Sequence, residues 1–239
     1  MTAIDFNQTS VLSFDCYGTL IDWETGILNV LRPWADDHEL DITNEGLLAA
    51  FAVAEPLVQT ADPSLPYPDV LRQSMRELGK ALGVVATPDE EEALGTSVPN
   101  WPAFDDSAAA LAQLKQDFRL VILSNIDRAS FAASNQKLGV EFDAIITAED
   151  TGTYKPDHGH FRSAFDWLAA QSIDRNQLVH VAQSLYHDHV PAQALGILSV
   201  WIDRRHGRAA GGATKSPTTP VTPNLTFTNL AKFAAAACG

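Results

Sequence analysis

Residues 11–20 form the stretch VLSFDCYGTL, which decides how the remainder of the chain is interpreted. Its first four residues, Val11 to Phe14, are mostly apolar and are typical of a short buried strand. Asp15 follows this strand directly, and Gly18 allows the chain to turn. In a doubly wound sheet, ligands bind outside the carboxyl ends of the strands. The stretch therefore predicts a buried strand that carries one carboxylate to a ligand-binding edge.

Strand-like and helix-like segments alternate downstream of residue 101. Apolar runs predict four further strands, at 120–123, 144–147, 178–181 and 197–202. Helical spacing or a capping residue predicts helices between them and at the tail, at 107–116, 127–137, 161–170 and 230–237. This alternation indicates a parallel sheet that is covered by helices on both faces. We predict an α/β fold with a doubly wound, Rossmann-like parallel sheet as its core.

The segment 22–98 interrupts this alternation, because it contains no predicted strand. Apolar residues recur there at helical spacing in three stretches, 27–34, 47–54 and 70–82. Pro88 opens a short acidic helix after them. The expected organisation is therefore an α/β core domain of residues 1–21 plus 99–239, with an inserted helical cap subdomain of residues 22–98.

The composition is that of an ordinary globular protein. Of the 239 residues, 46% are hydrophobic and 19% are charged, which is enough to bury a sizeable core. The formal net charge of −14 argues against a nucleic-acid or anionic-membrane partner, since both require a positive surface. Residues 1–10 lack the apolar run of a signal peptide, and no stretch is long enough to span a bilayer, so we expect a cytoplasmic location. The Gly-, Thr- and Pro-rich stretch 207–223 is expected to be a surface loop.

Four polar segments follow predicted strands or lie between them, and together they are the candidates for chemistry. Asp15 is the first. The pair Ser124-Asn125 ends the second strand, and a hydroxyl there can bind a substrate oxygen. The stretch 154–157, YKPD, supplies the cation Lys155. The stretch 183–188, QSLYHD, follows another strand and ends in a carboxylate. Carboxyl ends of parallel strands meet at one edge, so we expect these groups to form a single site.

The four segments resemble, in this order, the motifs of the haloacid dehalogenase superfamily. The D-x-Y-G-T-L and Y-K-P-D sequences are most similar to the L-2-haloacid dehalogenase branch. The resemblance implies a hydrolase that acts on the carbon–halogen bond of a small 2-haloalkanoic acid and gives a 2-hydroxy acid. It further implies a covalent aspartyl-ester intermediate, water as the second substrate, and neither metal nor other cofactor. The helical insert corresponds to a cap that closes over the site, and relatives of this branch are often homodimers.

The residue types predict specific roles. Asp15 is the expected nucleophile, and Lys155 is the cation that keeps it ionised while desolvated. Asp188 is expected to orient or deprotonate the water that hydrolyses the ester. Thr19 and Ser124 complete the predicted catalytic set, holding the substrate carboxylate together with backbone N–H groups. The remaining candidate substrate-binding residues are Tyr17, Gly18, Trp23, Asn125, Gln183 and Ser184.

Two positions argue against the phosphatases of this superfamily. Those enzymes carry a second aspartate two positions after the nucleophile as a general acid, and Tyr17 occupies that position here. They often carry an acidic residue where this chain has Gln183. Magnesium needs several oxygen ligands, and Asp188 adds only one carboxylate. A metal-free displacement fits better, because a halide leaves without a proton.

The chain also departs from the dehalogenase pattern. Those enzymes place an arginine in the cap to receive the halide, but residues 36–71 contain neither Arg nor Lys, and Arg32 is the sole basic residue of the early cap. Phe161 stands where the branch has a tyrosine, and Leu185 stands where it has an asparagine. The leaving-group pocket is therefore expected to be rebuilt, with Trp23 either donating its indole N–H to a halide or packing.

Three other functions stay open on these residues. The first is a hydrolase that opens the ring of azetidine-2-carboxylate with the same nucleophile, since a cationic ring nitrogen would not suit a pocket with an arginine. The second is a magnesium-dependent phosphatase, and the third is a binding protein without catalysis. The pairs His158/His160 and His187/His189 could imitate metal ligands, but no further ligand has suitable spacing, so solvated or capping roles are expected.

Overall fold

The computed structural model describes residues 3–206 and 212–239. Six strands form one parallel sheet in the order β3-β2-β1-β4-β5-β6. Their bounds are β1 Val11–Phe14, β2 Arg119–Ser124, β3 Ala144–Thr147, β4 Leu178–Ala182, β5 Leu198–Ile202 and β6 Leu225–Phe227. This is the Rossmann order, in which the winding direction reverses between β1 and β4 and leaves a crevice at their carboxyl ends. The predicted fold class is confirmed.

Hydrophobic residues hold the sheet from both faces. Along β1 the side chains alternate: Leu12 and Phe14 belong to one buried cluster, and Val11 belongs to another. Both faces of the sheet are buried, which explains why the central strands are continuous apolar runs. Within the described part of the chain, six α-helices outside the insert accompany the sheet: α5 Ser107–Leu114, α6 Arg128–Leu138, α7 Ala148–Thr151, α8 Gly159–Ala170, α9 Val190–Ala194 and α10 Leu230–Ala237.

The strand β6 is absent from the sequence-based prediction. It has three residues, pairs only with β5, and is only partly buried. A short edge strand with one neighbour lacks the apolar run that marked the other five strands. The prediction of five strands was therefore one too few.

The insert consists of four helices: α1 Trp23–Asp37, α2 Asn44–Ala61, α3 Tyr67–Ala81 and α4 Pro88–Gly95. Side chains cap three of their amino termini, since Asp22, Thr43 and Thr87 each accept a backbone N–H from the first turn. Gly83, at φ +78°, follows the end of α3 in the left-handed conformation that glycine favours after a helix. The apolar faces of these helices share one buried cluster with the sheet. The boundaries of a separate cap subdomain stay a prediction.

Parts of two predicted regions lie outside the described residues. These are residues 1–2 of the expected core range and residues 207–211 of the predicted loop 207–223. Residues 212–223 contain neither helix nor strand. Within residues 3–206 and 212–239, no helix combines the length and the apolar character that crossing a bilayer requires.

Candidate active site

The Asp15 carboxylate lies at the carboxyl end of β1 with 6% of the residue exposed. Its Oδ1 accepts a hydrogen bond from the ammonium of Lys155 at 2.9 Å, and its Oδ2 accepts one from the hydroxyl of Thr19 at 2.6 Å. The turn at Gly18, with φ +90°, reverses the chain so that the residue four positions after Asp15 reaches back to it. Both carboxylate oxygens are therefore held in a defined orientation.

The Lys155 ammonium is the electrostatic centre of the site. Only 1% of this residue is exposed, and its three acceptors are Asp15 Oδ1, Asp188 Oδ1 at 2.6 Å and the Leu123 carbonyl at 2.7 Å. An ammonium has three protons, so its donor capacity is filled. The side chain of Asn125 fixes the lysine backbone, because its amide accepts the Lys155 N–H at 2.7 Å and donates to the Lys155 carbonyl at 3.1 Å. The structure thus brings all four predicted segments together at one lysine.

Asp188 lies in a π-helical turn after β4, Leu185–His189, and a histidine missed by sequence reasoning holds it there. His180 Nε2 lies 3.0 Å from Asp188 Oδ1, and His180 Nδ1 lies 2.9 Å from the Ser13 hydroxyl. A neutral imidazole satisfies both contacts when Nε2 donates and Nδ1 accepts. The available signal was a single polar residue inside the apolar run of β4.

Burial and charge act in opposite directions on the three central groups. Burial raises the pKa of Asp15, although Lys155 counteracts it. Burial also works to raise the pKa of Asp188, but Lys155 and His180 outweigh it and hold that pKa below its ordinary value. Burial favours loss of the Lys155 proton, yet the two carboxylates raise its pKa. The lysine therefore stays charged, and Asp188 is the more firmly ionised of the two carboxyls.

Two buried polar atoms beside this cluster have no hydrogen-bond partner among the described residues. They are the Ser124 hydroxyl and Asp188 Oδ2. Both residues line the same pocket as Asp15 and Lys155. Buried polar atoms normally have partners, so unpaired ones that face a pocket are suited to a ligand or a water. Ser124 can receive a substrate oxygen, and Asp188 Oδ2 can receive a water proton.

The pocket at Asp15 is small, with about 40 Å³ of free volume. That is room for a few water-sized groups, which limits a bound substrate to a few heavy atoms unless the cap moves. Four residues of the insert line it: Trp23 of α1, Glu55 and Gln59 of α2, and Tyr67 of α3. A neighbouring outer cavity of about 270 Å³ shares Gln59, Lys155 and His187 with the pocket.

The carboxyl of Glu55 is the second feature that sequence reasoning missed. The residue is 4% exposed, and its Oε1 accepts a hydrogen bond from the Tyr67 hydroxyl at 2.8 Å. Burial raises the pKa of Glu55 to about 7. No arginine is among the described residues that line this pocket, and Arg32 binds Asp36 and the Ile42 carbonyl instead. The signal was available, because Glu55 lies on the apolar face of α2, four residues after Phe51 and three before Val58.

Several predicted substrate contacts are placed differently. Thr19 bonds Asp15 and accepts the Gln183 N–H at 2.9 Å, so its hydroxyl orients the nucleophile, and its role in holding substrate stays a prediction. The Gly18 N–H donates to the Ile21 carbonyl at 2.8 Å. Gly18 and Gln183 line a separate cavity of about 360 Å³, and Trp23 lies between it and the pocket because it lines both.

The other predicted contacts do line the pocket, although their polar atoms are engaged. The Tyr17 hydroxyl lies 2.8 Å from the Ser134 hydroxyl, which leaves the ring as the pocket wall. The Ser184 hydroxyl accepts the His187 N–H at 2.9 Å. Asn125, bonded to the lysine backbone, is a positioning residue that also borders the pocket.

The expected solvated or capping roles were wrong for two of the four paired histidines, His160 and His189. His160 is fully buried with Nε2 3.0 Å from the Ser124 carbonyl, and His189 is fully buried between Ser199 and the Ala182 carbonyl. His187 lines the pocket. Burial lowers the pKa of each of these three histidines to about 4, so they are neutral at pH 7.

The donor set suits magnesium poorly. The two carboxylates nearest the pocket, Asp15 and Asp188, are both bonded to Lys155, and an amide, Gln183, stands where a third acid would be needed. Among the described residues, no group of three or more His, Cys, Asp or Glu side chains is arranged to hold a metal ion. The prediction that no metal takes part stays to be tested.

Residues 9–181 match the family model of haloacid dehalogenase-like hydrolases. The match covers most of the chain, and the protein belongs to the haloacid dehalogenase-like hydrolase family. One curated relative, haloacid dehalogenase-like hydrolase domain-containing protein 3 of Xenopus laevis, is 30% identical over 105 residues. That alignment spans 43% of this chain and 42% of the relative.

Solved structures share the fold over nearly the whole chain. A defluorinating L-2-haloacid dehalogenase, Rha0230, has a TM-score of 0.75 at 20% identity, covering 97% of this chain and 96% of that one. The L-2-haloacid dehalogenase of Xanthobacter autotrophicus with chloropropionic acid covalently bound has a TM-score of 0.75 at 15% identity, covering 97% and 99%. The magnesium-bound HAD-hydrolase YfnB of Bacillus subtilis has a TM-score of 0.74 at 19% identity, covering 96% and 98%. Dehalogenases and a magnesium-bound relative therefore share this architecture.

Proposed function

We propose that the protein hydrolyses the bond between C2 and its substituent in a small 2-substituted carboxylic acid, without a metal. A carboxylate oxygen of Asp15 attacks C2, the new C–O bond forms as the old bond breaks, and the leaving group takes the electron pair. Water then adds to the carbonyl carbon of the resulting ester, and Asp188 accepts its proton. The tetrahedral intermediate collapses as Asp188 gives that proton to the departing oxygen, so the 2-hydroxy acid leaves. The second proton of the water passes to solvent, and Asp15 returns as a carboxylate.

One observation carries this proposal. The carboxylate of Asp15 borders a small closed pocket with its charge balanced by Lys155, while the position of a phosphatase general acid belongs to Tyr17, whose hydroxyl faces Ser134. Such a site has an anionic nucleophile and no acid at that position to protonate a leaving oxygen. A halide leaves without a proton, so a carbon–halogen bond is the first candidate substrate bond. The covalent chloropropionate reported for the Xanthobacter enzyme is consistent with this chemistry on this fold.

The covalent route is tested by trapping. Enzyme quenched during turnover of 2-chloropropanoate should carry an ester on the peptide that contains Asp15, detected by mass spectrometry. Asp15→Asn should lose turnover by at least about 10⁴-fold, on the scale of removing a nucleophile, while it keeps the fold. A single turnover in heavy-oxygen water should give unlabelled product, because the new oxygen comes from Asp15. Labelled product at that stage would show direct attack by water and would end the proposal.

A second candidate is the opening of azetidine-2-carboxylate by the same nucleophile, in which the ring nitrogen takes the electron pair. The specific observation in its favour is that a carboxyl, Glu55, and no arginine borders the described pocket. Parallel assays of halide release and ring opening separate the two candidates. Activity on a phosphate ester that disappears with a chelator would replace both with a magnesium phosphatase. Binding of small acids with no turnover of any of these substrates would indicate a binding protein.

A further inference from the structure

The cap carboxyl of Glu55 lacks any cationic partner among the described residues. Its one hydrogen bond is with Tyr67, which is neutral. An ionised carboxylate that is 4% exposed normally has a paired charge, because burial without one is costly. A glutamine would fit the same space and bond the same hydroxyl. The glutamate at position 55 is therefore better explained by a ligand that binds in the pocket than by packing.

The charges of the groups that line the pocket also favour a ligand with a positive group. The described lining contains three carboxyls, on Asp15, Glu55 and Asp188, and one ammonium, on Lys155. That ammonium already has its three acceptors. His187 also lines the pocket but is neutral at pH 7, since burial lowers its pKa to about 4. A purely anionic substrate would add a further negative charge to an uncompensated site. A substrate with its own positive group would instead balance it.

We propose that Glu55 binds a positively charged nitrogen of the substrate, so that the natural substrate is a small zwitterion with a carboxylate and an ammonium group. Tyr67 is then a positioning residue, which holds one oxygen of Glu55 and leaves the other for the ligand. The small volume of the pocket limits the substrate to a few heavy atoms. This inference names the substrate class for the proposed function and rests on it.

The test compares ligands that differ by one ammonium group. Propanoate, 2-aminopropanoate in both enantiomers and 3-aminopropanoate share a carboxylate and lack a good leaving group, so their binding can be measured by calorimetry at pH 8. We expect at least one aminopropanoate to bind the wild-type protein at least tenfold more tightly than propanoate. In Glu55→Gln that preference should disappear, while propanoate binds as before or more tightly. Glu77→Gln is the matched control, since Glu77 is an exposed cap carboxylate paired with Lys80.

Two results would overturn the inference. One is wild-type protein that binds none of the aminopropanoates more tightly than propanoate, which needs no variant and so does not depend on how a variant folds. The other is a preference that survives in Glu55→Gln. Neither result bears on the ester at Asp15. An ester trapped from 2-chloropropanoate without any ammonium preference would refute the role of Glu55 and leave the proposed function intact. The absence of any ester would refute the proposed function, whatever ammonium preference is measured.

Discussion

The buried carboxyl of Glu55 makes the pH dependence of stability a direct test of the pocket. The pKa of Glu55 is about 7 in the folded protein because burial disfavours its charged form, against an ordinary value of 4.5. Between these values the folded chain keeps a proton that the unfolded chain has released. The free energy of unfolding therefore falls as pH rises through this window, and the loss is complete above about pH 7.

The size of the effect follows from the same two values. Each pH unit within the window costs about 1.4 kcal/mol, so the rise from 4.5 to about 7 amounts to about 3 kcal/mol. Glu55→Gln cannot ionise and can still accept the Tyr67 hydrogen bond. The free energy of unfolding of Glu55→Gln, relative to that of the wild-type protein, should therefore rise by up to about 3 kcal/mol between pH 5 and pH 8. Of the groups that share the pocket, Lys155 and Asp188 keep their charges across this window by the pKa directions given above, and titration of Asp15, whose pKa burial raises, is common to both proteins.

Urea unfolding from pH 5 to pH 9 measures this gain. The curve of the wild-type protein alone is not sufficient, because His160, His187 and His189 have pKa values lowered to about 4 by burial and make stability rise with pH up to about 6.5. Those contributions are common to both proteins and cancel in the difference. Glu77→Gln should show no such difference. A wild-type minus Glu55→Gln difference that stays flat, or that slopes the other way, would refute the argument that this carboxyl is desolvated and unpaired.

Further predictions concern the catalytic cluster. Lys155→Met should abolish turnover and lower the free energy of unfolding by about 3–5 kcal/mol in urea, because it leaves two buried carboxylates without a cation. An unchanged free energy of unfolding would show that other groups balance the charges of Asp15 and Asp188. Thr19→Val should lower kcat by about tenfold with little change in KM, since it removes one hydrogen bond of about 1–2 kcal/mol that orients Asp15; a change confined to KM would indicate a substrate contact instead. His180→Leu should slow hydrolysis of the ester more than its formation, so that rapid-quench mass spectrometry finds more esterified enzyme than in the wild-type protein; equal slowing of both steps would contradict a role through Asp188.

Local sequence was sufficient to predict the fold class and to place the central charged residues of the site together. The apolar runs that became β1 to β5 have the length and composition of strands buried on both faces, which hydrophobicity alone reports. The helices of the insert are recognisable from the helical spacing of their apolar residues, because each helix buries one face. Asp15, Lys155 and Asp188 could be placed together from sequence, because parallel strands deliver their ends to one edge of a sheet. The family resemblance supplied their expected roles.

Tertiary structure alone decided which groups face the pocket. Thr19 and Gln183 were expected to contact substrate, but the Thr19 hydroxyl bonds the nucleophile and Gln183 lines another cavity. His180 and Glu55 are single polar residues in apolar segments, and only tertiary packing sets His180 against Ser13, 167 positions away in the sequence, and Glu55 in a pocket with Asp15. Sequence periodicity reports whether a side chain is buried. It does not report which distant side chains surround it, and that neighbourhood decides charge, pKa and specificity.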